Sequence, residues 1–125
     1  MDDEEEMSIE QFQTYTEKQS KNIYIFKFGA EWCKPCKIVK PWVNEWLNKM
    51  PNNVYFFDID VDTSIDVYVK LKSKKMINGI PAILFYYGDV KREHWYTPDL
   101  MLTGANKDKL DKLFQECLTK ASSMV

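Results

Sequence analysis

The stretch from Phe26 to Trp42, FKFGAEWCKPCKIVKPW, constrains the fold more than any other part of the chain. The run Asn22–Gly29 just around its start is β-branched and aromatic, and reads as a buried strand except for Lys27. From Cys33 onward the apolar spacing turns helical. Val39, Trp42, Val43, Trp46 and Leu47 carry that pattern, with lysines between them and Pro51 as the stop. A strand that hands over to a helix within a few residues commits the chain to a layered α/β design. Cys33 and Cys36 fall at the handover, and in open α/β sheets that carboxyl end of a strand is where ligands and chemistry sit.

The same reading extends along the chain. Ile9, Phe12 and Thr16 share one helical face, with Ser8 and Gln11 spaced as a capping box. Asn53–Asp62 predicts a second strand, and Thr63–Lys75 a short helix capped by Thr63 or Ser64. Ala82–Tyr87 and Val90–Tyr96 flank Gly88-Asp89 and predict a hairpin. A last helix is expected from Asn106 to Ala121, with Leu110, Leu113, Phe114, Cys117, Leu118 and Ala121 on its apolar face. Strands joined through helices pair in parallel and the hairpin adds antiparallel strands, so the expected sheet is mixed, with helices on both faces.

At 125 residues the chain is long enough for one core and too short for two ordinary domains. The division expected is an acidic tail over 1–7, a domain over 8–121 and a short tail over 122–125. A net charge of −2 gives no global attraction to nucleic acid or to an anionic membrane, and no apolar run approaches the roughly 20 residues of a membrane span. Three cysteines cannot form a fully paired disulfide framework, and the acidic start MDDEEEMS is unlike a secretory leader, so a reducing compartment, the cytoplasm, is expected.

The position of the dithiol bears on its chemistry. A thiol reacts as thiolate, and a helix's first turn offers unpaired N–H groups and the positive end of the macrodipole to a negative sulfur. Lys34 and Lys37 add positive charge nearby, and Pro35 suits a first turn, where a missing N–H costs little. The two-residue spacing lets one thiolate attack a disulfide and its neighbour resolve the product. Two other readings of the spacing are half of a zinc site and a purely structural pair. Zinc needs about four ligands. The chain offers only Cys117, which reads as a packed thiol on an apolar helical face, and His94, which reads as a surface or loop side chain. No metal is therefore expected.

The segment FGAEWCKPCK resembles the active-site motif of the thioredoxin family, whose usual form is WCGPCK. Pro41 matches a proline of the family's active-site helix, NGIPAILFYYGD resembles its cis-proline segment, and GANKDKL its entry into the last helix. The resemblance runs from about Ser8 to Leu118. It implies a thioredoxin-like fold: a central mixed sheet of four or five strands, flanked by helices on both faces. It also implies a protein dithiol–disulfide oxidoreductase, acting as a reductase without a cofactor beyond the Cys33–Cys36 disulfide. By residue, it implies Cys33 as nucleophile, Cys36 as resolving thiol and Trp32 as a wall beside them. Ile80–Pro81 would be a cis bond whose backbone pairs with an extended substrate, and Gly104 would lie in the substrate groove. Disulfide-containing proteins and a recycling reductase or other dithiol donor are the implied partners of a monomer. A binding module with incidental redox activity and a disulfide oxidase or isomerase are the alternatives.

Four features depart from the family pattern. Its first strand would fall at Met1–Met7, an acidic run with poor strand propensity, so that strand is expected to be short or absent. Lys34 stands where the family has glycine. The segment Gly88–Gly104 is longer than usual, and its added Trp95, Tyr96 and Pro98 would either enlarge the substrate groove or form a solvent-facing loop. Lys27 stands in place of the family's buried aspartate, and Asp58 in place of the lysine that faces it. Three roles are open to Lys27: a structural ion pair with Asp58, tuning of Cys36, or a side chain turned outward to solvent.

Overall fold

A computed structural model describes residues 6–125. The elements in order are α1 (Ile9–Glu17), β1 (Ile23–Gly29), α2 (Lys34–Leu47), β2 (Val54–Asp60), α3 (Ile65–Ser73), β3 (Ala82–Tyr87), β4 (Leu100–Thr103) and α4 (Lys107–Ser123). The sheet order is β2-β1-β3-β4, with β1 parallel to β2 and β3 antiparallel to both its neighbours. Most of the residues where the family's first strand would fall lie outside the described residues. Glu6 and Met7 belong to no strand, and the described sheet has four.

Local chemistry sets the helix starts. Gln11 N–H donates to Ser8 Oγ at 3.1 Å and Ser8 N–H to Gln11 Oε1 at 2.9 Å, which closes the capping box of α1. Asn106 caps α4 by accepting Lys109 N–H at 3.0 Å. Ser64 occupies the N-cap position of α3 with no side-chain cap bond, and its Oγ instead accepts the Met7 N–H at 2.8 Å. That bond anchors Met7 beside α3.

The sheet divides two cores. On one face Phe12, Tyr24, Phe26, Phe28, Leu84 and Tyr86 pack under α1 and α3, with Phe12 edge-on to Phe26 at 4.5 Å. On the other, Ile23, Ile25, Phe85, Val39, Val43 and Phe114 pack under α2 and α4. The alternation of Ile23, Ile25 and Lys27 against Tyr24, Phe26 and Phe28 is the two-residue period of a strand buried on both sides. Residues 122–125, expected as a tail, instead continue α4 through Ser123 and bury Met124 in the second core.

The expected hairpin is different from the one formed. Val90–Tyr96 is not a strand, and the partner of β3 is Leu100–Thr103. Gly88 is not in the left-handed region that a tight two-residue turn requires. Its N–H donates to Asn22 carbonyl at 2.7 Å and its carbonyl accepts Ser20 N–H at 2.9 Å, which binds it to the α1–β1 connection. A Cβ at Gly88 would collide with Ser20 and lie 2.7 Å from the Asn22 carbonyl, so glycine is there for close approach. The loop that follows organises itself around Arg92. Its guanidinium lies over the Tyr86 ring and donates to the carbonyls of Tyr87 and Thr97 and to the Asp99 carboxylate. Asp99 in turn accepts Tyr87 N–H at 2.7 Å and so sets the register of β4.

Candidate active site

Cys33 is the N-cap of α2 and Pro35 lies in its first turn. Cys33 and Cys36 are joined as a disulfide. The Cys36 N–H donates to Cys33 Sγ at 3.2 Å, so one of the helix's orphan donors is turned onto the sulfur. An attacking thiol should be the more open of the two, yet Cys33 and Cys36 are each 5% exposed. The Cys33 sulfur is occupied by its bond to Cys36 Sγ and by the Cys36 N–H. Trp32 beside them is 69% exposed, and its Nε1–H donates to Asp62 at 2.8 Å. That bond ties the approach to α2 to the approach to α3. Lys34 and Pro35 are exposed.

The Ile80–Pro81 bond is cis. Phe28 pairs with Ala82, so the next step of the antiparallel register sets Pro81 beside Gly29. A Cβ on Gly29 would lie 3.3 Å from Cys36 Sγ, which places Cys36 over the same spot. Pro81 and the dithiol thus meet at one end of β1. Gly104 follows β4 with φ of +90°, a conformation that suits glycine, and its N–H donates to Pro81 carbonyl at 2.8 Å.

Lys27 and Asp58 are register partners in the parallel β1–β2 pair. Period two puts Lys27 on the α2 side of β1, beneath the first turn of α2. Lys27 is 5% exposed, so it does not turn out to solvent, and its Nζ meets Asp58 Oδ1 at 3.2 Å. The point where a Gly29 Cβ would stand is 3.3 Å from Cys36 Sγ and 3.9 Å from Lys27 Nζ. Sulfur and ammonium are therefore no farther apart than the sum of those distances, 7.2 Å. Both border an open cleft of about 1030 Å³, whose lining includes Lys27, Gly29, Trp32, Cys36, Lys40 and Asp58.

The added segment does not join this cleft. It leaves the sheet at Tyr87, which pairs with Ile23 at the start of β1. Gly29 lies six residues farther along that strand, about 20 Å at 3.3 Å per residue. Trp95 packs edge-on to Phe12 with centroids 6.0 Å apart, and the Tyr96 carbonyl accepts the Tyr86 hydroxyl at 2.8 Å. The segment widens the core under α1 rather than the groove. His94 stacks on Tyr96 at its surface. Cys117 is fully buried in the α4 core, and burial pushes its thiol up to about 12. Among the described residues, no three His, Cys, Asp or Glu side chains group as a metal ion would need.

Comparison with known proteins matches the family model described as Thioredoxin to residues 4–116. Thioredoxin 3 of Plasmodium falciparum (isolate 3D7) is 34% identical over 110 residues, covering 87% of this chain and 56% of that one. The chain thus spans little more than half the length of that relative. Rattus norvegicus thioredoxin is 32% identical over 109 residues, covering 87% of this chain and 92% of that one. A solved structure of Plasmodium falciparum thioredoxin superposes with a TM-score of 0.64 at 25% identity, covering 87% of this chain and 93% of that one.

Proposed function

The chain belongs to the thioredoxin family, and from that premise we propose that it is a protein disulfide reductase working through Cys33 and Cys36. With the pair reduced, the Cys33 thiolate attacks one sulfur of a client disulfide. A Cys33–client disulfide forms and one client thiolate leaves. The Cys36 thiolate then attacks Cys33 Sγ, which re-forms the Cys33–Cys36 disulfide and releases the second client thiolate. Two electrons pass from the dithiol to the client, and a recycling reductase or other dithiol donor returns them. A reducing compartment, the cytoplasm, would supply that donor. The observation that carries this reading is the cysteine pair at the first turn of α2, with Cys36 N–H directed at Cys33 Sγ. The same donor that meets sulfur in the disulfide is poised to stabilise a Cys33 thiolate.

The other site residues take supporting roles in this scheme. Trp32 walls the sulfur pair, and Ile80, Pro81 and Gly104 offer backbone to an extended client. Lys27 is a positioning residue. Its ammonium, neutralised by Asp58, faces the cleft beside Cys36 and favours the thiolate that the second step needs. An insulin disulfide-reduction assay with dithiothreitol as donor tests the proposal. Wild type should accelerate reduction and Cys33→Ser should not. Equal rates with and without the protein would overturn the reading.

A further inference from the structure

The charge of the chain is not spread evenly around the dithiol. From Val67 through Gly88 the only charged side chains are four lysines, Lys70, Lys72, Lys74 and Lys75, in a chain whose net charge is −2. This span contains the last two turns of α3, the connection to Pro81 and all of β3. Lys72, Lys74 and Lys75 are exposed, and none of the four lies in an ion pair among the described residues. Lys91 of the added loop, also exposed, borders the same cleft as Lys74, a cleft whose rim also carries Glu17 and Glu93, so the uninterrupted basic run is that of α3 and its C-terminal connection.

Helix energetics do not account for this cluster. A cation near the C-terminus of α3 is favourable. Lys70 and Lys74 are spaced four apart, however, and like charges at that spacing repel. Lys75 lies beyond the helix, in a left-handed conformation with φ of 61°. Two of the amines are also held in place. Lys72 Nζ lies 5.6 Å from the Tyr68 ring centroid, and Lys74 Nζ lies 5.3 Å from that of Tyr96. The Lys74 contact joins the end of α3 to the added loop.

We propose that this basic shoulder docks an acidic segment of the client protein, several residues along the chain from the client's disulfide. The inference rests on the reductase reading and names its substrate class. Trp32 is bonded to Asp62, just before α3, so the start of that helix lies at the dithiol. Nine residues of helix carry the lysines about 13 Å away. The chain from Lys75 returns to the dithiol at Pro81. A client strand lying along Ile80–Pro81 covers that distance in about four residues at 3.3 Å each. Carboxylates four or five positions from the client cysteine therefore reach Lys72, Lys74 and Lys75. A protein segment is favoured over nucleic acid because the lysines lie within about four extended residues of Ile80–Pro81, where the reductase reading seats a client, and because the chain as a whole is acidic.

The test uses three synthetic peptides with glutamates, glutamines or lysines at those positions, and with alanine for cysteine so that binding needs no redox step. Binding to the oxidised protein should favour the glutamate peptide over the glutamine one by about tenfold at low ionic strength, the sum of a few exposed ion pairs. The preference should fade as salt is added. The triple variant Lys72→Glu, Lys74→Glu, Lys75→Glu should prefer the lysine peptide, a gain that a misfolded protein would not give. Equal binding of the three peptides would overturn the proposal. So would a preference unchanged in the variant, or tighter binding of single-stranded DNA or anionic vesicles than of the glutamate peptide. If acidic binding holds but disulfide forms of the peptides are not reduced, the basic shoulder stands and the reductase reading fails.

Discussion

Lys27 and Asp58 show how much a single substitution pair can carry. Their contact follows from strand period and parallel register; the period is legible in the sequence, while Asp58 as the partner comes only from the family resemblance. Burial then makes the pair interdependent, since each ion would be costly without the other. Lys27→Met should destabilise the fold by about 3–5 kcal/mol by leaving a mostly buried carboxylate without its partner. Adding Asp58→Leu should restore much of that loss, because two apolar groups need no mutual rescue. Urea denaturation of wild type, single and double variants measures both steps. A double variant no more stable than Lys27→Met would sink the pairing. The double variant also isolates the role of the ammonium. If Lys27 favours the Cys36 thiolate, mixed-disulfide resolution should stay slow after stability recovers, and its pH profile should shift. Superimposable profiles would leave Lys27 a structural role only.

At the scale of elements, the N-terminus of α2 is the functional one, and Lys34 is its unusual feature. An ammonium one residue after Cys33 stabilises thiolate, and so the reduced state. If it lowers the thiolate pKa by one unit, the corresponding change is about 30 mV for a two-electron couple. Lys34 is exposed, so salt should weaken the effect. Lys34→Gly should therefore shift the potential to a more negative value by up to about 30 mV. Equilibration with glutathione reads this, and an unchanged or raised potential would remove the argument. The element hardest to read from sequence was β4. It is four residues long, and its placement depends on Asp99 and Arg92, which bond to Tyr87 across the loop. The turn signal at Gly88-Asp89 was real as a glycine requirement but came from close approach to Ser20 and Asn22. By contrast, the handover from β1 to α2 was legible because two different periods meet within a few residues. The equal burial of Cys33 and Cys36 was not, because it depends on how the first turn of α2 packs against its neighbours, which spacing alone does not impose.

The whole molecule is one sheet between two cores, with the reactive end of β1 at one edge of both. Its stability should be sensitive to alkali in a defined sense. Burial pushes the Cys117 thiol from 9.0 to about 12, and burial first, then nearby negative charge, pushes Tyr87 from 10.0 to about 12. The folded protein keeps protons that the unfolded chain gives up. Stability should therefore hold below about pH 9 and decline as pH rises toward 12, by up to about 1.4 kcal/mol per pH unit for Cys117 and by less for the half-buried Tyr87, whose hydroxyl is partly screened by water. Cys117→Ala should lower stability near neutrality by opening a cavity. It should also flatten the decline between pH 9 and 12, so the two proteins converge. Parallel curves would contradict the buried thiol. Within the same fold, Cys117 should resist alkylation until the protein unfolds.

The central claim is that Cys33 attacks and Cys36 resolves. Its most direct test is the intact mass of Cys36→Ser after reduction and exposure to a disulfide-bonded protein substrate, with the adduct mapped by digestion. One client molecule should be trapped per chain, through Cys33, and dithiothreitol should release it. An adduct on Cys117, or no adduct while Cys33→Ser forms one through Cys36, would contradict the account.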